Sequence, residues 1–463
     1  MLDDTYRSRF NVQMVKWLVR GAVIAALVGC SETPNPAFCD ETSDCRNGFS
    51  CNLDTHGCET TIVEDGGVDS ASGSCSLDDE CTSGVCKDSG VCEGVENVLY
   101  VSADGVSAGA CPSDARCDIV YALSKITTQQ HTIRIANGTY DIASDLVVDR
   151  TKPDVTIVGG RGAVLRRASA GVVIDVRGVT SGVGPTLTLR GMTINKGVNC
   201  FWAGLRLQRA LMDNASGEPI PWIASYECKL VVDDSELRDS PSDGISGMYS
   251  DLEMARSTVT GSSGFGISVE RGVFHIAAST IDHNAKLGIQ LFNVTSFELK
   301  QSLVSHNLLG GVASVGGPFD VTNNVVVRNG IQADDCEFGG LRLVGTGRAI
   351  HNTIALNNSP PDASYAGGIY CEGGEAGNNI IVSNQRGNEE LPNAQTGGTC
   401  STTGSLIDPS YNTPVFVDFL TDDFHIASAS PAVNAGGMPQ VDVDFDGEPR
   451  SDGAADVGAD ERP

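Results

Sequence analysis

Four ionisable side chains recur at almost constant intervals in the middle of the sequence. They are Glu253, His275, Glu298 and Asp320, and Lys300 follows two residues after Glu298. If each interval of 22 or 23 residues is one structural repeat, these side chains stand next to one another on one surface. Adjacent carboxylates and an imidazole could then act as general acid and base or bind a metal. The alternative, which we favour, is a solvated strand face on which opposite charges pair between repeats.

The sequence shows no further catalytic signature. Asp334 and Asp335 form a lone acidic pair beside Cys336, and the other outward strand positions carry no paired carboxylates. Lys300 is the one local base that could serve a β-eliminating lyase, and the surrounding acidity would repel a polyuronate. The sequence therefore leaves catalysis undecided and leans against an enzyme. A polysaccharide lyase or glycoside hydrolase is the enzymatic alternative.

A second group of acids lies near the C-terminus. Asp442, Asp444 and Asp446, followed by Gly447, match the start of a calcium-binding loop. The position that should supply a bidentate glutamate is Gly453, which excludes an EF-hand. A looser calcium site is an option there, and otherwise we expect no cofactor.

The 16 cysteines indicate an oxidising compartment. Half of them lie in two N-terminal blocks, 39–58 and 75–96, joined by an acidic linker, 59–74. The block cysteines are Cys39, Cys45, Cys51, Cys58, Cys75, Cys81, Cys86 and Cys92. Each block predicts a small disulfide module, in which four cysteines allow three pairings. The spacing lacks the close Cys pairs of a zinc site, and we expect the region to act as a spacer.

The remaining cysteines suggest three further disulfides. These are Cys111–Cys117, Cys200–Cys228 and Cys371–Cys400. Cys336 is left without a partner in this scheme. We interpret 200–228 as an insertion, in which Trp202, Trp222 and Tyr226 could stack on sugar rings. The alternative, which we favour, is that these aromatic residues pack within their own loop.

A repeat that covers most of the chain must position these residues. A Gly-apolar step recurs every 22 or 23 residues at Gly244, Gly266, Gly288 and Gly311. Apolar and polar residues alternate within each period, which predicts strands rather than helices. Three strands in about 22 residues predict one turn of a parallel β-helix. We assign this all-β solenoid to 97–413.

Stacking of successive coils predicts columns of like residues. Two inner columns are Leu252, Phe274, Phe297 and Phe319, and Val259, Ile281, Val304 and Val326. A structural ladder at the turns is Asn284, Asn307, Asn329, Asn357 and Asn384. We expect these amides to hydrogen-bond to one another in turns where Asn tolerates the left-handed conformation. A short helix over 119–126 would cap the open end of the sheets.

Composition and the N-terminus define the expected compartment. The 463 residues include 31 Lys and Arg against 59 Asp and Glu, a net charge of −28. This balance argues against nucleic acid, whose phosphates need clustered cations. A basic stretch, 14–20, precedes an apolar run, 21–28, that is too short to span a bilayer. This order predicts a signal peptide over 1–29.

Two resemblances extend this interpretation. The run Leu27-Val28-Gly29-Cys30 resembles the lipobox of bacterial lipoproteins. The resemblance implies cleavage before Cys30, lipidation of Cys30 and a tether over 30–38. The Ser at position 31 implies the outer membrane. "IRIANGTY" after a strand and a helix, followed by Asn turns, resembles the entry of right-handed parallel β-helices of the pectate-lyase-like superfamily.

A third resemblance concerns the C-terminal sequence. "PVFVDFLTDDFHIASASPAVNAG" is similar to the end of bacterial surface β-helix proteins of the choice-of-anchor Q type, which implies that 414–463 closes the helix. The scaffold alone does not define an activity. We expect a lipid-anchored surface protein that displays a β-helix for binding, adhesion or a structural role. Its expected partner is a carbohydrate or an envelope protein, and its oligomeric state is open.

Overall fold

The computed structural model describes most of the chain after residue 73. The described residues are 74–167, 169–179, 184–213, 219–331, 338–408, 415–437, 441–450 and 454–462, with the backbone of 49–52 and 57–60. The predicted signal peptide, Cys30, the tether, Cys39, Cys45, most of the acidic linker, Asp334, Asp335 and Cys336 lie outside them. Among the described helices, none has the length and apolar character to cross a membrane.

Two units divide the chain, Met1–Asp69 and Ser70–Pro463. In the first unit, strands Phe49–Asn52 and Gly57–Thr60 pair antiparallel and place Cys51 opposite Cys58. The second unit contains the repeat, and the following description concerns it alone.

Three parallel sheets of 11, 12 and 11 strands form the second unit. Sheet A contains Val98–Val106, Thr132–Ile135, Val155–Val158, Thr186–Arg190, Gly204–Gln208, Lys229–Asp233, Asp251–Ala255, Val273–Ala277, Ser296–Lys300, Phe319–Thr322 and Gly347–Ile350. Sheet B contains Gly138–Asp141, Ala163–Arg166, Thr193–Ile194, Leu211–Met212, Glu236–Arg238, Thr258–Thr260, Thr280–Asp282, Leu303–Ser305, Val325–Val327, Thr353–Ala355, Ile380–Val382 and Leu406–Asp408. Sheet C contains Leu146–Asp149, Ile174–Arg177, Val198–Phe201, Ile223–Tyr226, Ile245–Met248, Ile267–Glu270, Leu287–Phe292, Gly310–Val315, Leu341–Val344, Ile369–Glu372 and Thr396–Gly398.

Short elements complete the unit. They are helix α1 (Ile119–Ser124), helix α2 (Pro392–Gln395), the 3-10 turns Asp78–Glu80, Val95–Asn97 and Phe419–Thr421, the parallel strands Asn358–Ser359 and Gln385–Arg386, and the antiparallel strands Phe416–Asp418 and Asp423–Ile426. The chain visits sheets A, B and C in turn, so the predicted parallel β-helix of three strands per coil is confirmed.

The strand register places like residues on like, as the spacing predicted. Both inner columns are formed, because Leu252 stands beside Phe274 and Val259 stands beside Ile281, and the later members follow in order. These side chains join one continuous buried core. At the Gly-apolar step, a Cβ on Gly244 would lie 2.6 Å from the carbonyl oxygen of Gly266. The step therefore requires glycine because the backbones of successive coils meet there.

The predicted Asn ladder is buried inside the turn between sheets B and C. The Asn307 Nδ2 donates to Asn329 Oδ1 over 2.9 Å, and the same oxygen accepts the backbone N–H of Asn307 over 3.1 Å. Asn329 repeats this pattern with Asn357. At the last coil, Gln395 of α2 replaces the next Asn and accepts from Asn384 Nδ2 over 3.0 Å. The ladder thus ends on a side chain that the repeat did not predict.

The expected backbone conformation of the ladder was wrong. The left-handed residues stand one position earlier, with φ of 51° at His283, 53° at His306 and 55° at Arg328. Each ladder amide can then point inward, where it bonds backbone groups of the turn, while the preceding side chain points outward. The residue type in this column varies, since Leu356 and Ser383 occupy the equivalent positions of later coils.

A second ladder of the same kind fills the turn between sheets A and B. Asn324 is buried, and its Nδ2 donates to the carbonyls of Leu299 and Thr322 and to Asn352 Oδ1. Its Oδ1 accepts the backbone N–H of Ser302 over 3.0 Å. In earlier coils a serine hydroxyl performs the acceptor role, as when Ser257 N–H donates to Ser279 Oγ. The two ladders therefore provide hydrogen-bond partners for backbone groups that the strands leave unpaired.

Helix α1 caps the first coil as predicted. Its Ile119, Ala122 and Leu123 are buried, and Asp118 accepts the backbone N–H of Tyr121 over 2.8 Å at the N-cap. The apolar face covers the end of the core, and the aspartate satisfies one of the unpaired helix N–H groups.

The second cysteine block is a docked cover, whereas the sequence predicted a spacer. Cys75 pairs with Cys86, and Cys81 pairs with Cys92. Val85 packs on the outer face of sheet A against Tyr100 and Val158. Arg190, which is buried in that sheet, forms ion pairs with Asp78 and Asp88 of the block. The block therefore belongs to the folded body of this unit.

The C-terminal segment covers the side of the last coils. Its apolar residues pack on outward residues of sheet B, including Val325, Val327, Ile380 and Val382. The guanidinium of Arg450 is fully buried and bonds Glu461 over 2.8 Å and the carbonyls of Gly458 and Ala459. The segment therefore forms a lateral cover that one buried arginine holds together, and its expected closure of the far end stays a prediction.

The ladder predicts a graded response to substitution. Asn324→Leu should lower the free energy of unfolding by about 3 kcal/mol, because several buried polar groups lose their partners. Asn324→Ser should cost only about 1 kcal/mol, because a hydroxyl can still accept the Ser302 N–H as it does in earlier coils. Urea unfolding followed by circular dichroism measures both values. Equal losses in the two variants would contradict a hydrogen-bonding role for this position.

Acid should destabilise the fold through His351. This residue is buried, and burial together with the nearby Arg450 lowers the pKa of His351 to about 4. In the unfolded chain, His351 has its ordinary pKa of about 6.5. Between pH 6.5 and pH 4 the unfolded chain therefore binds a proton that the folded chain does not, and about 3 kcal/mol of stability is lost as pH falls through this range. In His351→Asn this loss of stability at low pH should disappear, because asparagine does not titrate. Asn323 and Asn378 occupy the same left-handed column, which makes asparagine a suitable replacement. Unfolding midpoints at pH 7.5 and 4.5 should therefore differ less in the variant, and an equal difference would contradict the assignment.

Candidate functional site

The four ionisable residues of the sequence analysis do form one row. On the outer face of sheet A, Glu253 stands beside His275, His275 beside Glu298, and Glu298 beside Asp320. Arg348 continues the row on the next coil. The sequence register was therefore correct, and the row is continuous over five coils.

Opposite charges pair along this row. Arg348 binds both carboxylate oxygens of Asp320 over 3.1 and 3.0 Å, and Lys300 contacts Glu298 and approaches Asp320 to 4.0 Å. His275 Nε2 lies 3.8 Å from a carboxylate oxygen of Glu298. Partial burial opposes the effect, but the hydrogen bonds from Arg348 and Thr322 hold the pKa of Asp320 below its usual range. Asp320 is therefore ionised at neutral pH and is unsuited to act as a general acid.

The side chains of the row are also open to water. The exposed fractions are 52% for His275 and 30% for Glu298. Catalytic carboxylates and bases work in surroundings that exclude water and shift their pKa values. The arrangement is that of a charge-paired strand face, which is the alternative that the sequence favoured.

The segment between Cys200 and Cys228 is a complete coil, so its interpretation as an insertion was wrong. It contains one strand each of sheets A, B and C, and its disulfide joins cysteines whose Cα atoms lie 6.0 Å apart in the core. Trp222 is fully buried and donates its Nε1–H to the carbonyl of Arg238 over 2.7 Å. This tryptophan therefore packs the coil and cannot stack on a ligand.

The other aromatic residues of that coil begin a surface feature that the sequence indicated only in part. We call it the aromatic edge, and it follows the turn between sheets C and A. Its members are Phe201, Trp202, Tyr226, Tyr249, Arg271 and Phe292. Phe201 stands beside Tyr226 on the next coil. The same column continues through Met248 and Glu270 to Phe292, one residue per coil.

The rings of the aromatic edge touch one another in series. Trp202 meets Tyr226 edge to face with ring centroids 5.5 Å apart, and Tyr226 meets Tyr249 in the same way at 5.7 Å. The guanidinium of Arg271 lies 4.9 Å above the Tyr249 ring and hydrogen-bonds its hydroxyl. Tyr249 is 41% exposed and Phe292 is 38% exposed. The result is a fixed, partly exposed apolar strip with a polar donor beside it.

Left-handed turns aim this strip outward. Trp202, Tyr249 and Arg271 have φ of 52°, 55° and 63° and each follows a strand of sheet C. Repetition of the coils therefore repeats the outward position every 4.8 Å or so. The sequence signal for the edge lies in two columns, the last residue of each sheet C strand and the residue after it, and inspection of the strand columns covered only the first.

The aspartates expected to bind calcium divide into different roles. Asp444 is buried, and its Oδ1 accepts the backbone N–H groups of Asp446 and Glu448. Its Oδ2 accepts the N–H of Glu461 over 3.0 Å. Three backbone donors thus occupy this carboxylate, which holds the C-terminal segment in shape. The predicted set Asp442, Asp444 and Asp446 is not brought together as a ligand group.

One cavity of about 250 Å³ lies between the docked cysteine block and sheet A. Lys87, Arg190, Arg209, Asp233 and Asp234 line it. Arg190 and Arg209 form ion pairs with Asp78 of the block. Two of the lining residues thus serve the docking of the block, while Asp233 and Asp234 pair with Arg256.

A family model supports the fold, and several solved structures are similar. A family described as "Right handed beta helix region" matches residues 222–359. The structure of pectate lyase Pel9A is similar at a TM-score of 0.40 and 15% identity, over 79% of this chain and 96% of that chain. The A-module of mannuronan C-5 epimerase AlgE4 from Azotobacter vinelandii is similar at 0.35 and 13%, over 66% and 99%. PfbA, a surface adhesin of Streptococcus pneumoniae, is similar at 0.34 and 10%, over 67% and 93%.

These similarities concern the scaffold, because a right-handed parallel β-helix carries many unrelated activities. No curated protein sequence matches the chain. The function must therefore be argued from the surface of this molecule.

Proposed function

We propose that this protein is a cell-surface lipoprotein whose parallel β-helix binds a neutral polysaccharide along the aromatic edge. The observation that carries the proposal is the series of touching, partly exposed rings from Trp202 to Tyr249, with Phe292 further along the same edge. Aromatic faces provide apolar contact area for the C–H faces of sugars, and the rings lose little entropy on binding because their neighbours already hold them.

The geometry of the edge suits a chain-like ligand. From Phe201 to Phe292 it extends over four coil steps, or about 19 Å at the usual strand spacing. A linear glycan that lies parallel to the solenoid axis would meet a ring on several successive coils. The guanidinium of Arg271 and the hydroxyl of Tyr249 supply hydrogen-bond groups beside the rings.

Charge favours a neutral ligand over an acidic one. The chain has a net charge of −28, and Glu270 stands beside Arg271 at the edge with 3.8 Å between their charged atoms. An acidic polymer would be repelled by the whole protein and would find the local cation already paired. Neutral sugars do not experience that repulsion.

The N-terminal sequence supports display at the cell surface. The basic and apolar stretches followed by Leu27-Val28-Gly29-Cys30 support export and lipidation at Cys30. Several acyl chains on one cysteine give stable anchoring. The disulfides of the second unit also suit a compartment outside the cytoplasm.

Glycan binding should depend on the exposed rings. In Tyr249→Ala and Phe292→Ala, the affinity for a neutral glycan selected on a glycan array should fall by up to about tenfold each, since one aromatic contact contributes about 0.5–1.5 kcal/mol. Tyr121→Ala is the matched control, because this tyrosine lies on α1 at the first coil and outside the aromatic edge. Isothermal titration calorimetry gives the affinities, and circular dichroism checks the fold.

Two results would overturn this part of the proposal. Binding that is unchanged in both edge variants would place the ligand elsewhere. Release of unsaturated or reducing sugar ends by the wild-type protein, lost in His275→Ala and Glu298→Ala, would replace binding by catalysis on sheet A.

Anchoring can be tested separately in a Gram-negative host. The wild-type protein should sediment with membranes, whereas Cys30→Ser should be recovered in the soluble fraction because it lacks the acylated sulfur. Cys39→Ser, which alters a cysteine beyond the tether, should still sediment. Sedimentation of the Cys30→Ser protein with membranes would contradict lipidation at this position.

A further inference from the structure

Three separate pieces of the C-terminal segment meet at one histidine. His425 lies on the strand Asp423–Ile426, Asp446 lies in the loop 441–450, and Asp460 lies in the tail 454–462. One ligand atom from each of these residues falls within 4.8 Å of the other two. Side chains that are 21 and 35 positions from His425 along the chain thus converge on its imidazole.

The distances suit a small cation. His425 Nε2 lies 3.1 Å from Asp446 Oδ2. In a tetrahedral zinc site with bonds of about 2.1 Å, ligand atoms lie about 3.4 Å apart. Small side-chain rotations would therefore seat an ion between the imidazole nitrogen and the two carboxylates.

The other ring nitrogen of His425 is held as it is in many metal sites. Nδ1 lies 2.6 Å from Asp423 Oδ1, and the same oxygen accepts the backbone N–H of His425. A carboxylate at Nδ1 fixes the proton there and leaves Nε2 as the lone-pair donor. The imidazole is therefore oriented with its donor nitrogen toward Asp446.

Charge and donor type decide which cation fits. Asp423, Asp446 and Asp460 surround one imidazole, so carboxylates outnumber the only basic group of the cluster. Asp460 is partly buried and also accepts the N–H of Ile426, which fixes its position. Calcium and magnesium prefer sites made of oxygen alone, whereas imidazole with carboxylates suits zinc and its neighbours in the first transition row.

We propose that His425, Asp446 and Asp460 bind a divalent transition-metal ion of the zinc type, and that Asp423 orients the histidine. The ion joins the strand, the loop and the tail of the C-terminal segment. Arg450 ties the loop to the tail from the buried side, and the metal ties them from the exposed side. Three protein ligands leave the fourth position of a tetrahedral ion for water.

The test uses the full chain, freed of metal with a chelator and titrated with ZnCl2 in a calorimeter. Co²⁺ serves as the second probe, because its visible absorption reports a nitrogen and oxygen donor set. We expect one site per chain. His425→Ala and Asp460→Asn should weaken binding by about tenfold or more, and Asp423→Asn should weaken it by about tenfold through loss of orientation.

His275→Ala is the matched control. His275 is equally exposed and also stands beside a carboxylate, Glu298, but on sheet A and outside the three-residue cluster. Its removal should leave the affinity for Zn²⁺ within about twofold, because a surface substitution away from the site changes free energies by about 0.5 kcal/mol or less. Because His425→Ala could loosen the segment, Asp423→Asn, which keeps all three proposed ligands, separates metal binding from folding.

The thermal unfolding midpoint provides an independent test of Zn²⁺ binding. Zn²⁺ should raise the unfolding midpoint of the wild-type chain and of His275→Ala, and should leave that of His425→Ala unchanged. The absence of Zn²⁺ binding, or Zn²⁺ binding that survives in both His425→Ala and Asp460→Asn, would overturn the proposal. Neither result bears on glycan binding, which depends on residues of the aromatic edge.

Discussion

Backbone hydrogen bonding between successive coils is the interaction on which the whole second unit depends. Each strand has no partner within its own coil, so its N–H and C=O groups are satisfied by the coils before and after it. The turns cannot continue this pattern, and the buried Asn and Ser side chains complete it there. Because both systems repeat every coil, an identical spacing is imposed on all columns, including those that face the solvent.

Stacking also leaves the faces and ends of the sheets to be covered, and the chain uses its non-repeating segments for this purpose. The second cysteine block covers the first coils of sheet A through Val85 and the ion pairs of Arg190. The C-terminal segment covers the last coils of sheet B. Among the described residues, the charge-paired row on the middle of sheet A and the rings of the aromatic edge are partly exposed. Of the two, the rings offer contact area whereas the charges satisfy one another.

The same regularity determined which site predictions succeeded. The row from Glu253 to Asp320 and the inner aromatic column could be placed from spacing, because one residue per coil at constant register must stack. Predictions that relied on local motifs fared less well. Asp444 belongs to a calcium-like motif, yet backbone N–H groups occupy it, and the residues that do converge, His425, Asp446 and Asp460, share no motif. Trp222 and Tyr249 likewise differ in exposure for reasons that their neighbours in sequence do not reveal.

The architecture could be derived from the sequence pattern alone: a period of about 22 residues, three strands per coil, glycine where backbones meet, and amide ladders at the turns. Those features are local and periodic, so the same sequence pattern recurs in each coil. Tertiary contacts, in contrast, establish which faces are covered and which groups converge in the C-terminal segment. The contacts responsible, such as Arg190 with Asp78 at a separation of 112 residues and Arg450 with Asn323 at 127, occur once each. An unrepeated contact between distant residues leaves no period in the sequence, and it forms only because the rigid stack of coils brings its two surfaces together.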